Sequence, residues 1–219
     1  IKIEVPLHKL KVNEIFYSLQ GESSYVGLPT IFIRLTGCPM RCSYCDTAYA
    51  FNVGNNFTID QILENIAKYK TKNVTVTGGE PLAQKECWNL LKILCDKGYI
   101  VSLETGGAIS ISKVDDRVKV ILDIKTPKSG EDKNNDWGNL KLIKLTDEIK
   151  FVISDKEDYI WSKDVLIREK LNEKALILFS PAYGDIDPKD LAEWILEDFL
   201  PVRFQIQLHK VIWGQISGV

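Results

Sequence analysis

Short β-branched runs alternating with longer helical patterns predict an α/β fold, specifically an incomplete TIM-like β/α barrel of mostly parallel strands. Three observations carry this reading. Seven strand candidates alternate with helical segments, the mark of βαβ units and a parallel sheet. The 219 residues fall short of the roughly 250 typical of a complete eightfold barrel. The hydrophobic share of 45% and the charged share of 26% are ordinary for a globular chain that buries its core without staples. Length favours one domain over residues 1–219.

The strands are read at 30–35 (TIFIRL), 73–77 (NVTVT), 100–104 (IVSLE), 118–124 (VKVILDI), 149–153 (IKFVI), 175–180 (ALILFS) and 203–208 (RFQIQL). Each is a short segment rich in β-branched or apolar residues and bounded by polar or turn-forming ones. Helices are read at 59–69, 84–97, 156–170 and 188–199. The first starts with a capping box, because Thr58 precedes it and Gln61 lies three positions on. In the second, Trp88, Leu91 and Cys95 with Leu90 and Leu94 recur at helical spacing and form an apolar face. Segment 125–140 (KTPKSGEDKNNDWGNL) is polar and rich in turn formers, so it reads as a surface loop.

Charge and cysteine usage narrow the function classes. A net charge of -2 without basic clustering gives no footprint for nucleic acid. No apolar run approaches the ~18 residues of a membrane span, and the opening IKIEVPLHKLKV shows no secretion signal. Five cysteines form no secreted disulfide framework. Clustered thiols fit a reducing cytoplasm, where they bind metal or do chemistry.

The chemistry concentrates at Cys38-Pro-Met-Arg-Cys42-Ser-Tyr-Cys45, directly after a strand and the Thr36-Gly37 turn. Loops at the C-terminal ends of parallel strands are where barrel active sites form. Three thiolates this close reach three irons of one cubane. With no fourth cysteine nearby, where ferredoxin-type clusters use four, one iron is left for a non-protein ligand. A structural zinc module is the alternative. Zinc usually takes four ligands in CxxC pairs, whereas the spacing here is CxxxCxxC and the two histidines, His8 and His209, are distant. Cys87 and Cys95 read as small core residues of the second helix.

CxxxCxxC after the first strand resembles the signature of the radical S-adenosylmethionine (SAM) superfamily. The resemblance implies a [4Fe–4S] cluster on Cys38, Cys42 and Cys45, with SAM on the open iron. Thr77-Gly78-Gly79-Glu80-Pro81 resembles that family's GGEP motif, in which glycines let the backbone approach a ligand. Glu104-Thr105-Gly106-Gly107 is similar to its ETxG segment, and Thr126-Pro127-Lys128 to its Ser-Pro-Lys segment. SAM contacts are thereby implied for Tyr44, Asp46, Gly78, Gly79, Glu80, Glu104, Thr126, Pro127 and Lys128.

The flanks narrow the resemblance. Leu19-Gln20-Gly21-Glu22-Ser23 precedes the cysteines, Arg34 sits on the strand leading into them, and Cys45-Asp46-Thr47 closes the motif. The chain ends with Gln207-Leu208-His209-Lys210-Val211-Ile212-Trp213-Gly214 and five further residues. Across nearly the whole chain this is similar to the 7-carboxy-7-deazaguanine synthase family of the queuosine pathway, with Ser23 where that family often has Gly. The resemblance implies Mg²⁺-dependent ring contraction of 6-carboxy-5,6,7,8-tetrahydropterin, release of ammonia, a homodimer, and a flavodoxin or ferredoxin as electron donor. It places substrate contacts at Leu19, Gln20, Gly21, Glu22, Arg34, Thr77, His209 and Val219, and Mg²⁺ at Thr47. No side chain is assigned as a general acid or base.

The residue chemistry agrees with a carboxylated pterin. Arg34 offers a bidentate donor pair to a carboxylate, against the plainer reading of a surface ion pair. An arginine in an apolar strand is costly to bury without a partner. Glu22 can accept from amino groups. A rival within the superfamily is an activase for a glycyl-radical protein, which has no use for Arg34 or the flanking segments.

Overall fold

The predicted strands assemble as one sheet in the computed structural model, which describes residues 9–216 and 218. Val219 lies outside the described residues. The elements run β1 (Lys9–Leu19), β2 (Pro29–Leu35), β3 (Asn55–Thr58), α1 (Ile59–Ile66), β4 (Asn73–Gly78), α2 (Cys87–Asp96), β5 (Ile100–Thr105), β6 (Lys119–Ile124), β7 (Glu148–Ile153), α3 (Lys156–Arg168), β8 (Leu176–Pro181), α4 (Pro188–Glu197), β9 (Arg203–Phe204) and α5 (Leu208–Trp213).

The sheet has nine strands in the order β3-β1-β2-β4-β5-β6-β7-β8-β9. From β2 onward every neighbouring pair is parallel, as the alternating pattern predicts. β3 and β9 remain separate edges, so the barrel is open. Strands β1 and β3, absent from the sequence reading, extend the sheet in antiparallel fashion beside β2.

Side-chain parity assigns the two faces of the sheet. In β2, Ile31, Ile33 and Leu35 are fully buried, and they belong to the same core cluster as Ile62 and Ile66 of α1 and Leu90, Leu91 and Leu94 of α2. Arg34 and Phe32 alternate with them and point to the opposite, concave face, where they line a cavity. The outer face thus packs mainly apolar side chains into the core, while the concave face is free to carry charge. Cys87 is buried in this core and Cys95 packs against it partly exposed, as expected of small apolar residues.

Two sequence expectations are corrected. The predicted strand 203–208 stops after Phe204, and Leu208 and His209 begin α5. Gln205 draws the chain away from the edge: its amide donates to the Ser23 carbonyl at 2.8 Å and its side-chain oxygen accepts from the Ser23 N–H at 2.7 Å. Segment 125–140 is not a plain surface loop. It folds into three short 3₁₀ turns, with Thr126, Ser129, Asn139 and Leu140 buried. The buried Asn139 accounts for this, accepting from Ile111 N–H and donating to the Gly107 and Ile109 carbonyls.

Candidate functional site

The C-terminal ends of the parallel strands surround a cavity of about 640 Å³. Cys38, Cys42 and Cys45 line it, on the loop that leaves β2. This loop is tied down on several sides. Arg41 lays its guanidinium over Phe51 at 4.2 Å and donates to the Cys38 carbonyl at 2.8 Å. Its backbone N–H donates to Glu131 at 2.6 Å. Ser43 donates through its N–H to the Ser129 carbonyl and through its hydroxyl to the Lys128 carbonyl.

The Gly78-Gly79 turn packs directly against the cysteine loop. A Cβ on Gly79 would meet the Gly37 carbonyl oxygen at 2.3 Å and Cys38 Cβ at 2.7 Å. Only glycine permits that approach. Glu80, next in the motif, is fully buried, outside the cavity lining. Its carboxylate accepts from the Thr105 hydroxyl at 2.9 Å, Gly106 N–H at 2.8 Å and Leu82 N–H at 3.0 Å, so it fastens the end of β4 to the end of β5.

The donor set fits an iron–sulfur cluster. Three thiols stand on one loop, while Cys87 and Cys95 are on α2. Burial pushes the Cys38 and Cys42 thiols up, Cys42 to about 11, so cluster binding displaces protons from them.

Opposite the cysteines lies a charged wall. Glu22 accepts from Lys150 Nζ at 2.7 Å and from the Gln207 amide at 2.6 Å. Burial drives the Glu22 carboxyl upward, but the Lys150 charge and these hydrogen bonds hold it below the usual range. Glu104 has no such direct cation among the described residues, and burial raises it despite the charge of Lys150. The Gln20 amide donates to Glu104 at 3.4 Å and to Thr75 at 3.1 Å, and the Thr77 hydroxyl donates to Glu104 at 3.3 Å.

Arg34 donates through Nε to Glu14 at 2.7 Å, its cross-strand partner in register, and stacks beside Phe16 and Tyr49. Its two terminal nitrogens make no ion pair or hydrogen bond among the described residues and belong to the cavity wall.

The C-terminal segment covers the site. Leu208 N–H donates to the Gly21 carbonyl at 2.9 Å, and His209 crowds Gly21 so closely that a Cβ there would lie 2.0 Å from Nδ1. Burial lowers the His209 pKa. Lys210 Nζ bonds Asp46 at 2.7 Å, and the Thr47 hydroxyl donates to the same carboxylate's other oxygen at 2.8 Å.

The cavity therefore gathers most of the residues singled out in the sequence: Leu19, Gln20, Gly21, Glu22, Arg34, Tyr44, Asp46, Thr47, Thr77, Gly78, Gly79, Glu104 and His209, with the three cysteines. Thr126, Pro127 and Lys128 are outside the lining. The Thr126 hydroxyl and Lys128 N–H both donate to Asp158 at 2.9 Å, behind the cysteine loop that Lys128 and Ser129 brace. The sequence reading missed Asp123, Lys125, Lys150, Ser180 and Gln207, all in the lining. A charged residue inside an apolar strand was the available signal for Asp123 and Lys150.

Residues 32–128 match the radical SAM superfamily. With the cysteine loop at the mouth of an open parallel barrel, the chain is a radical SAM enzyme, a class that works with a [4Fe–4S] cluster and SAM. Over 94% of both chains it is 46% identical to the 7-carboxy-7-deazaguanine synthase of Chlorobaculum tepidum. It is 41% identical to that of Koribacter versatilis, over 93% of this chain and 97% of the other. The chain belongs to the 7-carboxy-7-deazaguanine synthase family. The crystal structure of QueE from Escherichia coli has the same fold, with a TM-score of 0.75 and 23% identity over 92% of this chain and 95% of the other. Membership in this family sets aside the zinc module and the glycyl-radical activase. Among the described residues no helix is long and apolar enough to cross a membrane.

Proposed function

We propose that this enzyme contracts the ring of 6-carboxy-5,6,7,8-tetrahydropterin to 7-carboxy-7-deazaguanine with release of ammonia, as a single cytoplasmic domain acting in a homodimer. The observation that carries the reading is the meeting of Cys38, Cys42 and Cys45 with Gln20, Glu22, Arg34 and His209 around one cavity.

In this reading the three cysteines hold the cluster, and SAM lies along Gly78, Gly79, Tyr44, Asp46 and Glu104. When bound, cluster and SAM supply one-electron, hydrogen-abstracting chemistry, and the protein binds, orients and excludes water. Glu80, Thr126, Pro127 and Lys128 act from behind by fixing the loops that touch SAM. Electrons come from a small reductant protein such as a flavodoxin or ferredoxin.

Arg34 turns to the pterin carboxylate the guanidinium edge that has no partner among the described residues, while Glu14 fixes the other edge. Glu22, held ionised by Lys150, accepts from the pterin amino groups, and Gln20 and Thr77 orient Glu104 beside it. His209, kept neutral by burial, both donates and accepts. Thr47 is the hydroxyl ligand for Mg²⁺, a hard cation that keeps several waters.

The test is an anaerobic reaction of reconstituted protein with SAM, reductant, Mg²⁺ and the tetrahydropterin, read by mass spectrometry. Formation of 7-carboxy-7-deazaguanine supports the reading. SAM cleavage without that product rejects the substrate assignment, and omission of Mg²⁺ tests the cation.

A further inference from the structure

The concave wall holds a carboxylate oxygen that no group among the described residues binds. Asp123, near the end of β6, directs Oδ2 to two lysines: Lys125 Nζ at 3.0 Å and Lys150 Nζ at 3.5 Å. The other oxygen, Oδ1, is shielded from solvent and has no hydrogen-bond partner among the described residues. Asp123 lines the cavity, and its side chain is 15% exposed.

A buried acceptor left unpaired is rare and costs about 1–3 kcal/mol. The ion pairs do not explain it, because both ammonium groups sit on the same oxygen. They fix the carboxylate's orientation and leave Oδ1 as an acceptor of set direction. Its position is specific too. Lys125 is close enough for its charge to act on Cys38 and Cys42, while Lys150 bonds Glu22. Asp123 thus shares one cavity lining with the cysteine loop and the wall proposed for the pterin.

We infer that Asp123 is a ligand-binding residue, whose Oδ1 accepts a hydrogen bond from an N–H or O–H of the molecules held between the cysteines and Glu22. The inference rests on the function proposed above. The donor belongs either to SAM, through its hydroxyl or amino groups, or to a ring N–H of the tetrahydropterin. An ionised carboxylate in this place selects a donor and rejects an analogue that offers an acceptor there.

The experiment is a calorimetric titration of cluster-loaded wild type and Asp123→Asn, first with SAM alone and then with 6-carboxy-5,6,7,8-tetrahydropterin at saturating SAM. Asparagine keeps the shape. Its oxygen turns to the lysines, and its NH₂ then faces the ligand donor. Binding of one ligand should weaken by about tenfold or more. Loss in the first titration assigns the donor to SAM, and loss in the second assigns it to the pterin. Unchanged affinity for both ligands, in a variant with wild-type iron content and melting temperature, overturns the inference. If the variant does not fold, a structure of the wild type with both ligands decides. A ligand nitrogen or oxygen within about 3.2 Å of Oδ1 supports the inference, and a lone water there overturns it. A wild type that binds SAM but not the pterin rejects the proposed substrate, and Asp123 is then judged on the SAM titration alone. A wild type that binds neither overturns both.

Discussion

Gly79 carries no side chain, and the site depends on that. Alanine at this position would press the Gly37 carbonyl and Cys38 Cβ from 2.3 and 2.7 Å, and both are short, stiff neighbours. Gly79→Ala should therefore fold but lose most of its bound iron. Colorimetric iron analysis beside circular dichroism checks this, and full iron content would reject the close-packing account. Alanine at Cys38, Cys42 or Cys45 should abolish turnover and lower iron content, and turnover that survives would sink the cluster assignment. Residues of this kind were legible because their motifs are contiguous. Arg34 was legible because a charge in an apolar strand needs a reason. The same reasoning applies to Asp123 and Lys150, which the motif-led reading passed over. Glu14 was hidden for a different reason: its meeting with Arg34 is a cross-strand register contact, which exists only once β1 is placed.

Among the elements, α1 shows local code at its most direct. The Thr58 side chain accepts from Gln61 N–H, and the Gln61 side chain accepts from Thr58 N–H. Thr58→Ala should destabilise the protein by about 1 kcal/mol, measured by urea unfolding, with kcat unaltered because the cap is remote from the cavity. The four longer helices and six of the seven parallel strands were readable from periodicity to within a few residues at each end. The antiparallel strands β1 and β3 were not. β3 consists of Asn55–Thr58, whose paired asparagines carry turn rather than strand propensity. Its extended form comes from pairing with β1. In 203–208 the alternation was real, but the buried Gln205 contacts with Ser23 outweighed it.

At the scale of the whole molecule, the charged pairs on the concave face join distant parts of the chain. Lys150 on β7 meets Glu22 from the loop after β1, and both are largely buried, at 10% and 14% side-chain exposure. Lys150→Met would leave Glu22 buried without its cation. Breaking such a pair typically costs ~3–5 kcal/mol, visible as a fall in melting temperature, and a fall no larger than for an exposed lysine would contradict the account. The pH dependence has a definite sign. Burial opposes ionisation of Glu22, but Lys150 and Gln207 leave its folded pKa below the ordinary value, which is about 4.3 for an unfolded chain. Its contribution is therefore complete above that value and is lost as pH falls through the lower folded one. Acidification below about pH 4 should lower the melting temperature, and Glu22→Gln should flatten that part of the curve. The open parallel sheet itself was legible, since length and strand number together leave too little chain for a closed barrel.

The C-terminal cover of the site has a consequence for the life of the chain before it is an enzyme. Gln207 and Glu22 are 185 positions apart, and Lys210 and Asp46 are 164 apart. Contacts this remote in sequence are formed late, after the loops between them have closed. During synthesis from the N-terminus, the cysteine loop leaves the ribosome long before the segment that will cover it. A growing chain therefore carries three uncovered thiols and an unfinished pocket until residues 205–210 arrive. Cluster insertion is best timed after translation, and oxidants have their easiest access to these cysteines in the interval before.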